Sequence, residues 1–129
     1  MPAHGRILSI NMNGLAPEIE ITIGQAQWGE FVVYLWDAQH HNPVQIGAGL
    51  NSDNVPDKFS IGTPAALNGR RLSWQVGIAA PQIGPGQNYS LLVRITQDGK
   101  LLVGGEIKDS GPLPNGSIFL RDYVEFQTR

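Results

Sequence analysis

The sequence predicts an all-β protein, an antiparallel β-sandwich of two sheets with eight or nine strands. Several segments alternate apolar and polar residues, which is typical of strands that bury one face. Sixteen glycines and nine prolines divide the 129 residues into intervals that are mostly too short for helices of ordinary length. Such short connections favour antiparallel pairing, because parallel strands need long crossovers. At this length we expect a single domain over residues 1–129.

The first half of the chain contains five predicted strands. The clearest is 18–24, in which Ile19, Ile21 and Ile23 alternate with polar residues. A short helical turn is predicted after Thr63, because proline is favoured at the first position of a helix. The predicted strands cover residues 6–12, 18–24, 30–37, 44–50 and 58–61.

The second half contains four predicted strands, two of which form a hairpin. The turn at 97–100 reads Gln-Asp-Gly-Lys and joins two alternating apolar segments. A longer turn with two prolines is predicted at 109–116. The strands cover residues 71–79, 89–96, 100–108 and 117–127. Two packed sheets would bury the apolar face of each strand.

A Pro-Gly corner, Pro85-Gly86, precedes the hairpin, and Tyr89 follows it at the start of an alternating strand. This segment, 83–95, resembles the corner before the sixth strand of fibronectin type III and other immunoglobulin-like sandwiches. The resemblance implies that the Tyr89 hydroxyl bonds to backbone a few residues upstream and pins the crossover between the sheets. It also implies a core tryptophan, with Trp36 and Trp74 as candidates. A strong strand at 117–127 departs from that pattern, so an immunoglobulin-like variant, a jelly roll and an open barrel stay open as alternatives.

The composition argues against several classes of function. The chain has no cysteine, which rules out thiol catalysis, disulfides and cysteine-ligated zinc. The charge is nearly balanced, with 9 Lys and Arg against 11 Asp and Glu, so we expect no nucleic-acid partner. No apolar run reaches the roughly 20 residues that span a bilayer, so we expect no membrane span.

The N-terminal residues lack the apolar region and the cleavage site of a secretory signal. We therefore expect a protein that is cytoplasmic, or one that is exported without a cleaved signal. A mature chain whose signal has been removed is the third alternative.

The third predicted strand, 30–37, is apolar on both faces, unlike a strand with one side in water. Phe31, Val33 and Leu35 make one face, and the other is formed by the binding candidates Val32, Tyr34 and Trp36. One interpretation is cover by loops of the same chain. The other is an interface with a partner or a ligand, because exposed apolar patches usually mark interaction sites.

Three further binding candidates lie at predicted turns. Trp28 stands in a Gln-Trp-Gly turn, where its ring would either bind a sugar or a partner or plug the end of the sandwich. His40 and His41 follow Asp37 and would serve either as binding residues or as part of a solvated turn. No Gly-x-Ser-x-Gly elbow supplies a nucleophile for them, so no catalytic residue is assigned.

An oxygen-rich loop offers a calcium site, because calcium prefers several carboxylate and amide oxygens on a flexible loop. Its candidate ligands are Asn51, Asp53, Asn54 and Asp57. The spacing does not fit an EF-hand, and the same residue types are common in ordinary turns. A plain loop without any cofactor is the favoured interpretation.

These observations favour a non-enzymatic binding module that binds a protein or further copies of itself as a homo-oligomer. The alternative is a small lectin-like module that binds carbohydrate through Trp28, Tyr34 and Trp36, with calcium in the Asn/Asp loop. An enzyme that uses Asp37 and the two histidines is the least favoured function, because a base and a nucleophile are not paired in the sequence.

Overall fold

A computed structural model describes residues 6–25, 27–51, 55–81, 86–113 and 115–129, apart from the side chain of Asn51. Nine strands account for most of these residues, and a single short 3₁₀ turn, Pro64–Ala66, follows Thr63. No helix in these ranges is long and apolar enough to cross a membrane. The strands are β1 (Arg6–Ile10), β2 (Glu18–Gly24), β3 (Trp28–Leu35), β4 (Val44–Asn51), β5 (Asp57–Ser60), β6 (Arg71–Ala79), β7 (Asn88–Gln97), β8 (Lys100–Pro112) and β9 (Ser117–Thr128).

The strands form two sheets, which confirms the predicted all-β, two-sheet class. One sheet has five strands in the order β1-β9-β6-β3-β4, and the other has four in the order β5-β2-β7-β8. Their alternating apolar residues form a single core between the sheets. Ile21, Val33, Trp74, Val93 and Phe126 are all at most 2% exposed. Trp74 is therefore a core tryptophan, whereas Trp36 is only partly buried.

The first strand corrects the prediction of uniformly antiparallel pairing. β1 pairs with β9 in parallel, with Arg6 opposite Val124 and Ile10 opposite Thr128. The prediction rested on short connections, but nearly the whole domain lies between these two strands, so no short loop dictates their direction. All the other strand pairs in the described residues are antiparallel.

The hairpin of β7 and β8 is longer than its sequence suggests. Residues 109–112, predicted as part of a turn, continue β8 and pair with Asn88 to Leu91. Their polar composition and the proline at 112 are compatible with an edge strand, because one side of such a strand faces solvent. The pairing of β7 with β8 shifts in register: Arg94 lies opposite Glu106, whereas Thr96 lies opposite Leu101. Gly104, in the stretch of β8 between these two partners, has a φ of +79°.

The two open edges of the sandwich are partly closed by contacts between the sheets. At one edge, Arg6 Nη1 donates a hydrogen bond to the Gly104 carbonyl at 2.8 Å, which joins β1 to β8. At the other edge, the Phe59 ring of β5 lies over the backbone of Gly47 in β4. These contacts leave the outer faces of the two sheets as the larger exposed surfaces.

The structure gives the Tyr89 hydroxyl a different acceptor from the upstream backbone predicted by the resemblance. It donates to Asp109 Oδ1 on β8 at 2.8 Å. Burial and this hydrogen bond raise the pKa of Tyr89 to about 12. Because of this bond, Tyr89 links β7 to its hairpin partner β8.

Of the predicted corner, residues 83–85 lie outside the described residues, and Gly86 has a φ of +81°.

Candidate functional site

The outer face of the five-stranded sheet forms a shallow trough. Along its central strand, β6, the outward side chains are small or polar: Arg71, Ser73, Gln75, Gly77 and Ala79. The flanking strands β3 and β9 carry larger outward side chains that form the walls. The wall residues are Trp28, Glu30, Val32 and Tyr34 on β3, with Trp36 just beyond it, and Phe119, Arg121, Tyr123 and Glu125 on β9.

One half of the trough is apolar, and we call it the apolar half. It consists of Trp28, Val32, Leu50 and Phe119, with Gly77 at the floor. Trp28 is 56% exposed, Leu50 80% and Phe119 57%, which is unusual for such large apolar side chains on one face of a sheet. Two depressions of about 320 Å³ each open here, and both are lined by Glu30 and Gly77.

The other half is the polar–aromatic pocket, a depression of about 360 Å³. Its side chains come from β6 and β9, from Trp36 just beyond β3, and from the turn that follows, and the register of β3, β6 and β9 brings them together. The Trp36 indole Nε1 donates a hydrogen bond to Ser73 Oγ at 2.9 Å, which fixes the ring relative to β6. The residues that line the pocket include Trp36, His40, Arg71, Ser73, Gln75, Arg121 and Tyr123.

A charged cluster forms one side of this pocket. Arg71 Nη2 lies 3.0 Å from Glu125 Oε1, and the Arg71 guanidinium lies 4.0 Å from the centre of the Tyr123 ring. His40 Nε2 lies 3.4 Å from the same Glu125 oxygen. Glu125 therefore neutralises Arg71, and its carboxylate also lies within ion-pair distance of His40.

Two charged side chains of opposite sign lie on opposite walls of the trough without an ion-pair or hydrogen-bond partner among the described residues. Glu30 on β3 and Arg121 on β9 form no ion pair or side-chain hydrogen bond in this part of the chain. The Arg121 guanidinium lies 5.4 Å from the centre of the Phe119 ring. A binding partner can supply an opposite charge to each of these side chains.

The structure places five of the six predicted binding residues on this face. Trp28, Val32, Tyr34 and Trp36 point outward from one strand and its extension, and His40 reaches the pocket from the following turn. Their function stays a prediction.

His41 is the exception. It is exposed, and its backbone N–H donates to Asp37 Oδ1 at 2.8 Å, so it belongs to the turn itself.

Asp37 forms no hydrogen bond or ion pair with the side chain of His40 or His41, as the carboxylate of a catalytic Asp–His pair would. Its carboxylate accepts hydrogen bonds from the backbone of His41 and Gln39 and from Asn42 Nδ2. The bond from His41, followed by that from Asn42, lowers the pKa of Asp37 below its usual value. The carboxylate thus stabilises a tight turn in which His40 and Asn42 both have positive φ.

Most of the predicted calcium loop lies outside the described residues. Asp53 and Asn54 fall there, and the side chain of Asn51 is not described. Asp57 is the described member, and it lies in β5 opposite Ile21. Among the residues that the structure describes, no group of three or more His, Asp or Glu side chains is placed to hold a metal ion.

Several trough residues were not among the sequence candidates: Leu50, Arg71, Gln75, Phe119, Arg121, Tyr123 and Glu125. The alternation of the last strand predicts that Arg121, Tyr123 and Glu125 share a face. It does not indicate which strand that face adjoins, because β3, β6 and β9 are far apart in the chain.

No family model, no curated protein and no solved structure matches this chain. The class defined by the fold is an all-β protein of two packed sheets with an exposed aromatic trough on one of them.

Proposed function

We propose that this protein is a non-enzymatic binding module that self-associates through the outer face of its five-stranded sheet. A single observation carries the proposal: Glu30 and Arg121 have opposite charges, no ion-pair or hydrogen-bond partner among the described residues, and positions on opposite walls of the trough where its apolar half begins. A second copy of the chain supplies the complement of both charges at once. The fold within the two-sheet class is proposed as an immunoglobulin-like or jelly-roll variant.

The strand register supports a two-fold arrangement. Across the three strands, Glu30 lies opposite Gly77, which lies opposite Phe119. Two residues further along β3, on the same face, Val32 lies opposite Gln75, which lies opposite Arg121. Glu30 and Arg121 therefore occupy one diagonal of a four-cornered patch, about 10 Å apart across the strands and about 7 Å along them. Val32 and Phe119 occupy the other diagonal.

A two-fold axis in the plane of the interface, running close to the second diagonal, would join two such patches face to face. It would place Arg121 of each copy opposite Glu30 of the other, which gives two equivalent ion pairs. Val32 and Phe119 would each pack near their own counterparts, which buries exposed apolar surface at the centre. The two sheets would then cross steeply, as in orthogonal sheet packing.

The arrangement of the polar groups favours binding over catalysis. The carboxylate of Asp37 accepts hydrogen bonds from its own turn. The carboxylate of Glu125 lies within ion-pair distance of Arg71 and His40. Neither carboxylate is positioned with a nucleophile in the described part of the chain.

Reciprocal charge reversal tests the proposal. Glu30→Arg and Arg121→Glu each place like charges opposite one another, so each should weaken the dimer at least about tenfold. The double variant restores both ion pairs in reversed order and should recover most of the affinity. Analytical ultracentrifugation measures the dissociation constants.

Glu18→Arg is the matched control, because Glu18 is an exposed acidic residue on the four-stranded sheet. It should leave the dissociation constant unchanged. If the single reversals associate as the wild type does, or if the double variant is no tighter than the singles, this arrangement is wrong.

A further inference from the structure

We propose that the polar–aromatic pocket binds a neutral carbohydrate unit, a second function of the same sheet face, in which Gln75 and Arg121 border the proposed dimer patch. The pocket volume of about 360 Å³ lies at the lower end of the range for small-molecule sites. Its lining combines aromatic rings with a few polar side chains, which is the composition typical of such sites.

Trp36 supplies a ring that is already oriented. Its Nε1 is held by Ser73 Oγ at 2.9 Å, and the Trp36 backbone N–H donates to the Arg71 carbonyl at 2.8 Å. Tyr34, opposite Ser73 in the register, extends the aromatic surface along β3. A ring fixed before binding lowers the entropic cost of stacking the apolar face of a sugar on it.

The polar groups match hydroxyls, which both donate and accept hydrogen bonds. Gln75 is exposed, and its amide offers a donor and an acceptor that form no hydrogen bond with the described residues. Arg71 donates from Nη2 to Glu125, and its Nη1 forms no hydrogen bond with the described residues. A ligand with several hydroxyl groups can satisfy both side chains.

The charges favour a neutral sugar over an acidic one. Glu125 already neutralises Arg71, and Asp122, which lines the pocket, adds negative charge near any carboxylate that entered it. The remaining positive side chain, Arg121, lies against Phe119 at the boundary with the apolar half. The pocket as a whole therefore lacks the clustered positive charge that selects an anion.

Isothermal titration of the full chain with cellotriose, maltotriose and chitotriose tests this inference, with trigalacturonate as the acidic comparison. At least one neutral trisaccharide should bind saturably. Gln75→Ala should weaken that binding about fivefold, because it removes hydrogen bonds from an exposed residue. Trp36→Ala should abolish it, and Trp28→Ala, the matched change in the apolar half, should leave it unchanged.

The inference is overturned if no neutral trisaccharide binds below about 10 mM. It is also overturned if trigalacturonate binds tighter than all three, or if Gln75→Ala binds as the wild type does. Glu30→Arg separates this result from the proposed function, because that variant should lose self-association and bind the sugar at least as tightly as the wild type, since no partner covers Gln75 and Arg121.

Discussion

At the scale of the residue, Tyr89 is the side chain whose contribution can be measured most directly. It is buried, and its hydroxyl donates to Asp109 across the hairpin. Replacement by phenylalanine keeps the ring and leaves the carboxylate of Asp109 without this donor. Tyr89→Phe should therefore lower the free energy of unfolding by about 1 kcal/mol or more. Urea denaturation measures it, with Tyr34→Phe on the outer face as the control that should change little.

The same hydroxyl predicts a dependence on alkaline pH. The pKa of Tyr89 is raised to about 12 in the folded protein, from the ordinary value of 10.0. The unfolded chain therefore releases the proton first, so the stability from this group is complete below pH 10 and is lost as pH rises toward 12. The difference in unfolding free energy between wild type and Tyr89→Phe should shrink over this range. A difference that stays constant would contradict the assigned bond.

The sequence could predict that Tyr89 faces the core but not which group its hydroxyl meets. Burial follows from alternation along one strand, which the sequence contains. The partner depends on the register of β7 against β8, and that register shifts between Arg94 and Thr96. The bulge is a property of two strands together, so one strand's pattern does not reveal it.

At the scale of the element, the strands with clean alternation were predicted best. The bounds of β2 (Glu18–Gly24) and β6 (Arg71–Ala79) agree with the predicted 18–24 and 71–79. β3 begins at Trp28, two residues earlier than predicted, because Gly29 continues the pairing opposite Ile78. Glycine is uncommon inside strands, so the sequence around Gly29 resembles a turn. Its place in β3 depends on pairing with β6, which the local sequence does not reveal.

The edge between β4 and β5 gives a prediction about packing. A Cβ atom at Gly47 would lie 2.6 Å from carbon atoms of the Phe59 ring, too close for either group to remain in place. Gly47→Ala should therefore lower the free energy of unfolding by about 1–3 kcal/mol through overpacking. Thermal and urea unfolding measure the change.

Gly77→Ala is the control, because a Cβ at Gly77 meets no atom within 4 Å among its neighbours. It should keep or slightly raise stability, since alanine restricts the unfolded chain more than glycine. Equal losses for the two variants would show that the close contact between Phe59 and Gly47 is not the cause.

At the scale of the whole molecule, the trough is a property of the topology. The sequence predicts that Val32, Tyr34 and Trp36 form a second apolar face on one strand, and the structure leaves that face on the outside of the sheet. Phe119, Arg121 and Tyr123 join it because β9 lies next to β6, which lies next to β3. The connections between these strands are long, so local pattern alone cannot predict which of them become neighbours.

The central claim is that this face associates with its counterpart on a second copy of the chain. Sedimentation equilibrium of the wild type from about 1 µM to about 1 mM tests it most directly. The mass should rise with concentration toward twice the 14.0 kDa of one chain, and Phe119→Ser should hold it near 14.0 kDa. A wild-type mass of 14.0 kDa throughout this range would contradict the claim.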